Sequence, residues 1–264
     1  VKNANTIQLE REDRAFLDSL PALPRLYGQG LSRPDEVTLD DIKRENQGSI
    51  GSCQGNAITS CIERLLTVGG EHKGTQLSRI YAYLASQQLD GLLGRDVGST
   101  ISSGIKVSLR GVPTEQAVPY PSPARYPGRA RRDDILEAWL AERTFPYSAS
   151  STWKVPFDVE AVKDFIAGGG AISIGILWYS GIIPRNRVVQ TFRPPSRSGG
   201  HAVAILGYAR NGNLRFMNSH GDGQFEVTPD AFRGMMRHSW TAAVGIKGSV
   251  DPHPVDWVEE SPLW

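Results

Sequence analysis

Gln47-Gly48-Ser49-Ile50-Gly51-Ser52-Cys53-Gln54-Gly55-Asn56-Ala57 is the stretch on which the fold turns. Its glycines and serines make a turning approach, and Ser52 or Ser49 is placed to cap a helix start. From Ala57 the apolar residues fall at helical spacing: Ala57, Ile58, Cys61, Ile62, Leu65 and Leu66. Two adjacent stripes give a broad apolar face, so this helix is expected to be central and buried. Cys53 then occupies its first turn, where the helix dipole and unpaired N–H groups favour a thiolate. Gln47, six residues earlier, is placed to aim a side-chain N–H at the same point.

Two later stretches complete a pattern. Gly199-Gly200-His201-Ala202-Val203-Ala204-Ile205-Leu206-Gly207-Tyr208 reads as a buried strand after a histidine, and Phe216-Met217-Asn218-Ser219-His220-Gly221 follows it. His201 lies 148 residues after Cys53, and Asn218 a further 17 on. The three segments resemble those of papain-like cysteine proteases, in the order Cys, His, Asn. The first matches the family's Gln-Gly-x-Cys-Gly-Ser-Cys-Trp-Ala, with Ile50 for a structural cysteine and Gln54-Gly55 for Trp-Ala. The second matches His-Ala-Val-x-x-Val-Gly-Tyr with Leu206 for Val. The third matches Asn-Ser-Trp-Gly with His220 for Trp. The resemblance runs thinly over about residues 40–247 and suggests a disulfide-free, bacterial-style member.

The resemblance implies an α+β, two-lobe fold, with a helical lobe around the Cys53 helix and an antiparallel sheet or barrel lobe. It implies a cysteine endopeptidase with Cys53 as nucleophile, His201 as proton carrier, Asn218 orienting the imidazole and Gln47 in the oxyanion hole. Gly98, Ser99 and Gly200 are its candidate substrate contacts, and His220 stands where a tryptophan shields the His–Asn bond. A smaller, ionisable shield is expected to be weaker and to add an acid limb to the pH–rate profile. Other acyl transfer on this fold (an amidase, deamidase or transglutaminase-like enzyme) and an inhibited, non-catalytic binding module are the alternatives.

Composition bounds the rest. The chain has 264 residues, 39% hydrophobic and 22% charged, with a net charge of +1. These are globular values, and they argue for neither a nucleic-acid nor a membrane partner. The expected partner is a protein or peptide substrate. No transmembrane run or signal-peptide core is evident. Cys53 and Cys61 lie eight residues apart on one helix, about 12 Å of rise, beyond the ~7 Å a bridge tolerates. A reducing compartment, cytoplasmic or that of a delivered effector, is compatible, and secretion is not excluded. Cysteine and histidine spacing suggests no metal site, and no cofactor is expected.

In chain order, residues 1–30 form an extension, read as a surface strap or a short inhibitory segment that would make the protein a zymogen. Residues 31–247 form the catalytic domain, and 248–264 a tail. Helices are expected at 11–20, 77–89, 101–110, 135–142 and 159–167. Strands are expected at 171–178, 187–192, 201–209, 213–218, 224–227 and 240–246. Helices first and strands later is an α+β order.

Overall fold

The computed structural model describes residues 14–23, 33–70, 74–141, 143–221, 223–239 and 241–248. The expectations for residues 1–13, 24–30 and 249–264 lie outside the described residues. The architecture is α+β, with two lobes. Helix α1 (Cys53–Gly69) is followed by α2 (Arg79–Leu89), α3 (Ile101–Arg110) and α4 (Arg129–Leu140). Then come β1 (Ser151–Lys154), α5 (Val159–Ala167), β2 (Ala171–Trp178), β3 (Val188–Val189), β4 (Gly199–Tyr208), β5 (Leu214–Met217), β6 (Gln224–Val227), α6 (Pro229–Arg237) and β7 (Ala242–Lys247). The strands form one sheet in the order β1-β7-β2-β4-β5-β6-β3, antiparallel except for the β3–β6 pair.

The period-2 geometry of β4 explains how the lobes join. Ala202, Ala204 and Leu206 belong to the core shared with α1, whereas Val203 and Ile205 belong to the second core with α5 and α6. Successive side chains point to opposite faces, so a strand covered on both sides reads as the continuous apolar run seen in the sequence. The small residues at 202 and 204 let α1 lie close to the sheet. Both stripes of α1 are buried: Ala57, Cys61 and Leu65, and Ile58, Ile62 and Leu66. Gly70 closes the helix in the left-handed region (φ 81°), its N–H reaching the Leu66 and Thr67 carbonyls.

Several boundaries differ from the sequence reading, each for a local reason. Helix α2 starts at Arg79 because the Ser78 hydroxyl caps it, accepting from Tyr81 N–H, while Leu77 bridges Thr114. Helix α4 begins at Arg129, so the Arg129–Arg132 cluster is helical. Arg132 lies over the Tyr126 ring and donates to Pro127 O at 2.7 Å. β3 keeps only Val188–Val189, after Arg187 turns the chain with φ 58°. Strand β1 and helix α6 were not anticipated. The Thr228 cap followed by Pro229 is a legible start signal for α6.

Residues 14–19 are helical, within the expected 11–20. This stretch and the residues after it pack against the sheet edge: Ala22 bridges Lys154, Lys154 pairs with Asp18 at 2.6 Å, and Lys106 of α3 lies over the Phe16 ring. Among the described residues no helix is long and apolar enough to cross a membrane.

Candidate active site

The start of α1 carries Cys53, and its cap is unlike the expected one. Ser52 occupies the cap position but makes no side-chain capping bond. Its hydroxyl pairs instead with Tyr120 Oη at 2.7 Å and accepts from Asn56 Nδ2 at 3.1 Å. The first-turn N–H groups are thereby left for the sulfur. Burial pushes the Cys53 thiol above its ordinary value, against the pull of the Ala202, Gln54 and Cys53 backbone N–H groups. The helix-start effect is therefore present but outweighed by desolvation, so an unaided Cys53 stays a thiol.

His201 opens the buried part of β4, directly before Ala202. Its Nε2 lies 2.7 Å from Asn218 Oδ1. That same oxygen accepts from Ser219 N–H at 2.9 Å, which fixes the amide's orientation. An amide oxygen only accepts, so Nε2 carries the proton and the neutral ring presents Nδ1 as its base. Asn218 is 1% exposed, at the end of β5.

Gln47 is buried and tied to the same segment. Its backbone N–H donates to Ser219 O at 2.8 Å, and its Oε1 accepts from Ser219 Oγ at 2.7 Å. One Nε2 hydrogen goes to Ile50 O at 2.8 Å. An amide nitrogen carries a second. Tyr120 Oη donates to Gln47 O at 2.9 Å, and burial, which pushes its phenol up to about 12, keeps it a neutral donor. Ser219 thus joins Gln47 to the His201–Asn218 pair, and Tyr120 joins Gln47 to the helix start.

Two rings cover His201. Trp178, the last residue of β2, lies 4.5 Å away centroid to centroid, and His220 lies 4.3 Å away. Trp178 meets His220 edge-on at 5.9 Å. Sequence reasoning gave Trp178 no role, because its position follows from the β2–β4 register, in which Trp178 pairs with Gly199 and Ile176 with His201.

The candidate substrate contacts are placed less uniformly. Gly200 is exposed on β4 opposite Leu177. Ser99 donates to Gln54 Oε1 at 3.2 Å. Gly98 sits in the left-handed region (φ 87°), but its N–H donates to Tyr83 Oη at 3.2 Å and its carbonyl accepts from Gln87 Nε2 at 3.1 Å. Gln54, where the family has tryptophan, lies in the hollow over α3 that the missing side chain of Gly104 leaves.

No family model matches the chain, and no curated protein matches it in sequence. Solved structures do. Xylellain, a cysteine protease from Xylella fastidiosa, is 23% identical with a TM-score of 0.62, covering 82% of this chain and 87% of its own. A Carica candamarcensis cysteine protease in complex with E-64 is 17% identical with a TM-score of 0.55, covering 81% of this chain and 99% of its own. Procathepsin B from Trypanosoma congolense is 16% identical with a TM-score of 0.61, covering 87% and 82%. The chain has the fold of the papain-like cysteine proteases.

Proposed function

We propose that the protein is a cysteine endopeptidase working through Cys53, His201 and Asn218. The observation that carries the reading is the buried His201 Nε2–Asn218 Oδ1 bond of 2.7 Å, one residue from the backbone N–H that reaches the Cys53 sulfur. His201 Nδ1 takes the Cys53 proton, which offsets the cost of a buried thiolate by pairing it with an imidazolium. The sulfur attacks the peptide carbonyl carbon, and the C–N bond breaks as His201 protonates the leaving amine. Water then attacks the thioester, giving its proton to His201, and the C–S bond breaks to release a carboxylic acid and restore the thiol–imidazole pair.

Gln47 Nε2 and the Cys53 N–H are the oxyanion donors, each worth about 10²–10³ in rate by analogy with such holes. Gly200, Ser99 and the Gly98 carbonyl, whose second lone pair remains, are the substrate contacts. His220 and Trp178 shield the His201–Asn218 bond. The strap reading of the N-terminal extension is supported by the packing of residues 14–23 on the sheet edge. The protein or peptide substrate lies in the cleft between the lobes.

An epoxide of the E-64 class, followed by intact mass, tests the nucleophile. Wild type is expected to gain one inhibitor mass, and Cys53→Ala none. A peptide library then separates outcomes: cleaved peptides support the protease, whereas ammonia release or ligated products point to other acyl transfer. No labelling and no turnover would overturn the catalytic reading.

A further inference from the structure

The turn before Cys53 is held from the side by a chain of hydrogen bonds that no step above uses. Gly51 N–H donates to Asp96 Oδ1 at 2.8 Å, and Tyr83 Oη donates to the same oxygen at 2.8 Å. Tyr83 Oη in turn accepts from Gln87 Nε2 at 2.8 Å and from Gly98 N–H at 3.2 Å. Its one proton and both lone pairs are engaged. Gln87 Nε2 also reaches Arg95 O at 2.7 Å and Gly98 O at 3.1 Å. Gln87 Oε1 accepts from Tyr126 Oη at 2.6 Å, and Tyr126 Oη accepts from Gly94 N–H at 3.0 Å. From Gly94 N–H through Tyr126, Gln87 and Tyr83 the donors run in one direction toward the Asp96 carboxylate, the arrangement in which hydrogen bonds polarise one another, while the Arg95 and Gly98 carbonyls are side branches from Gln87.

A second observation is steric. A Cβ on Gly51 would sit 3.0 Å from Asp96 Oδ1, 3.3 Å from Gly98 N and 3.4 Å from Tyr83 Oη. Gly51 is thus a point of close backbone approach between the catalytic turn and the 91–99 loop, outside the left-handed region. The turn itself is tight: Ser52 N–H returns to Ile50 O at 2.8 Å. Movement at Gly51 therefore carries directly to the Cys53 N–H and thiol.

We propose that Asp96 is a positioning residue for Cys53: by holding Gly51 N–H it fixes the catalytic turn against the Gly98 rim of the cleft. The proposal rests on the reading of Cys53 as nucleophile. The Asp96 carboxylate touches no reacting atom. Its effect is on the alignment of the sulfur and of the Cys53 N–H, where a displacement of about 1 Å costs on the order of 10²-fold in rate. The same bonds draw the Gly98 N–H inward, so substrate meets this rim through its carbonyl side.

The test compares full-length wild type, Asp96→Ala and Asp96→Asn by two readouts. One is the rate of inactivation by an E-64-type epoxide at saturation, separated from its binding constant. The other is amide hydrogen exchange across residues 47–56. Asp96→Ala is expected to lower the saturating rate by about tenfold or more, with little change in binding, and to speed exchange in the turn. Asp96→Asn keeps an oxygen acceptor for Gly51 and is expected to restore most of both. If Asp96→Ala fails to fold, Tyr83→Phe unseats the carboxylate while leaving Gly51 its acceptor, and a smaller change in the same direction is expected. Faster exchange with an unchanged inactivation rate would reduce Asp96 to a structural tie and overturn the proposal, as would unchanged exchange. A wild type whose Cys53 takes no label defeats the catalytic reading itself, and the positioning role falls with it.

Discussion

At the scale of the residue, the backbone around Cys53 does not by itself favour the thiolate. Desolvation raises the thiol, and the three backbone N–H groups around it only reduce that rise. A raised thiol is protonated at neutral pH, so reactivity there must come from the imidazole. His201→Ala is therefore expected to lose alkylation by iodoacetamide near neutrality and regain it only above the ordinary thiol range, about pH 8.5–9. Wild type is expected to react near neutrality through the thiolate–imidazolium pair, and a His201→Ala profile superimposing on wild type would show the pair is not what ionises the sulfur. The rings on His201 make a second residue-level prediction. Trp178 at 4.5 Å comes from the end of β2 and His220 at 4.3 Å from the turn between β5 and β6, so the proposed shield is two rings from separate segments. If Trp178 shields the His201–Asn218 bond from water, Trp178→Ala is expected to lower kcat by roughly tenfold, a part of the about 10²–10⁴ that a positioned proton carrier supplies, with a smaller change in KM. His220→Trp is expected to change the acid side of the pH–rate profile. An unchanged profile would remove His220 from the shield.

At the scale of the element, the departure from Trp-Ala at Gln54-Gly55 has a packing cause. A Cβ at Gly55 would lie 2.6 Å from Arg79 O and 2.9 Å from Tyr83 N, so α1 and α2 touch backbone to backbone there. Gly55→Ala is expected to destabilise by about 1–3 kcal/mol through overpacking, read as a fall in the denaturation midpoint without change in slope. The contact of Gln54 with α3 is softer. The three atoms nearest a Cβ at Gly104 all belong to the Gln54 amide, the first at 1.1 Å. Gly104→Ala should therefore be costly alone and largely relieved in Gly104→Ala/Gln54→Ala, a non-additive cycle that additive values would refute. These contacts also mark the limit of what was legible in the chain. The apolar stripes of α1, the β4 run and the three-part Cys–His–Asn order could be read because periodicity and motif spacing are local to each segment. Trp178, Asp96 and the two-sided hold of Tyr120 could not, because each depends on which elements the fold brings together. Helix α4 was truncated because its first two turns carry Arg129, Arg131 and Arg132 rather than an apolar stripe. Helix α6 falls in the gap between the expected strands 224–227 and 240–246, to which the sequence reading assigns no element although Thr228-Pro229 announces a helix start.

At the scale of the whole molecule, separate segments meet at a buried charge cluster that Tyr120 links to the turn before Cys53. Arg79 of α2 pairs with Glu45 at 2.7 Å and with Glu115 at 2.9 Å, and its guanidinium lies 4.3 Å from the Tyr120 ring centroid. Glu63 of α1 faces this group, accepting from Leu77 N–H at 2.8 Å. Burial pushes its carboxyl up to about 8, with Glu45 and Glu115 adding to the rise, and the Leu77 N–H and Arg79 opposing it. Burial raises Glu45 as well, against the pull of Arg79 and Lys43. A carboxyl raised in the fold keeps its proton after the unfolded chain has released its own. Below the ordinary carboxyl range, about pH 4.3, both states are protonated and Glu63 contributes no pH dependence. From there to about 8 the native state binds one proton more than the unfolded, so stability falls with rising pH, by at most about 1.4 kcal/mol per unit. Above the folded value the slope from this group vanishes. Wild type is therefore expected to unfold at lower temperature at about pH 8 than at about pH 5, the opposite of the trend that the lowered carboxyls Asp18 and Glu160 impose at acid pH. Glu63→Gln keeps an oxygen for Leu77 N–H and has no proton to lose, so its drop across the same interval should be smaller than wild type's. Parallel drops for the two proteins would mean that Glu63 ionises in the fold as readily as in the unfolded chain, and that the cluster around Arg79 holds a third charged carboxylate.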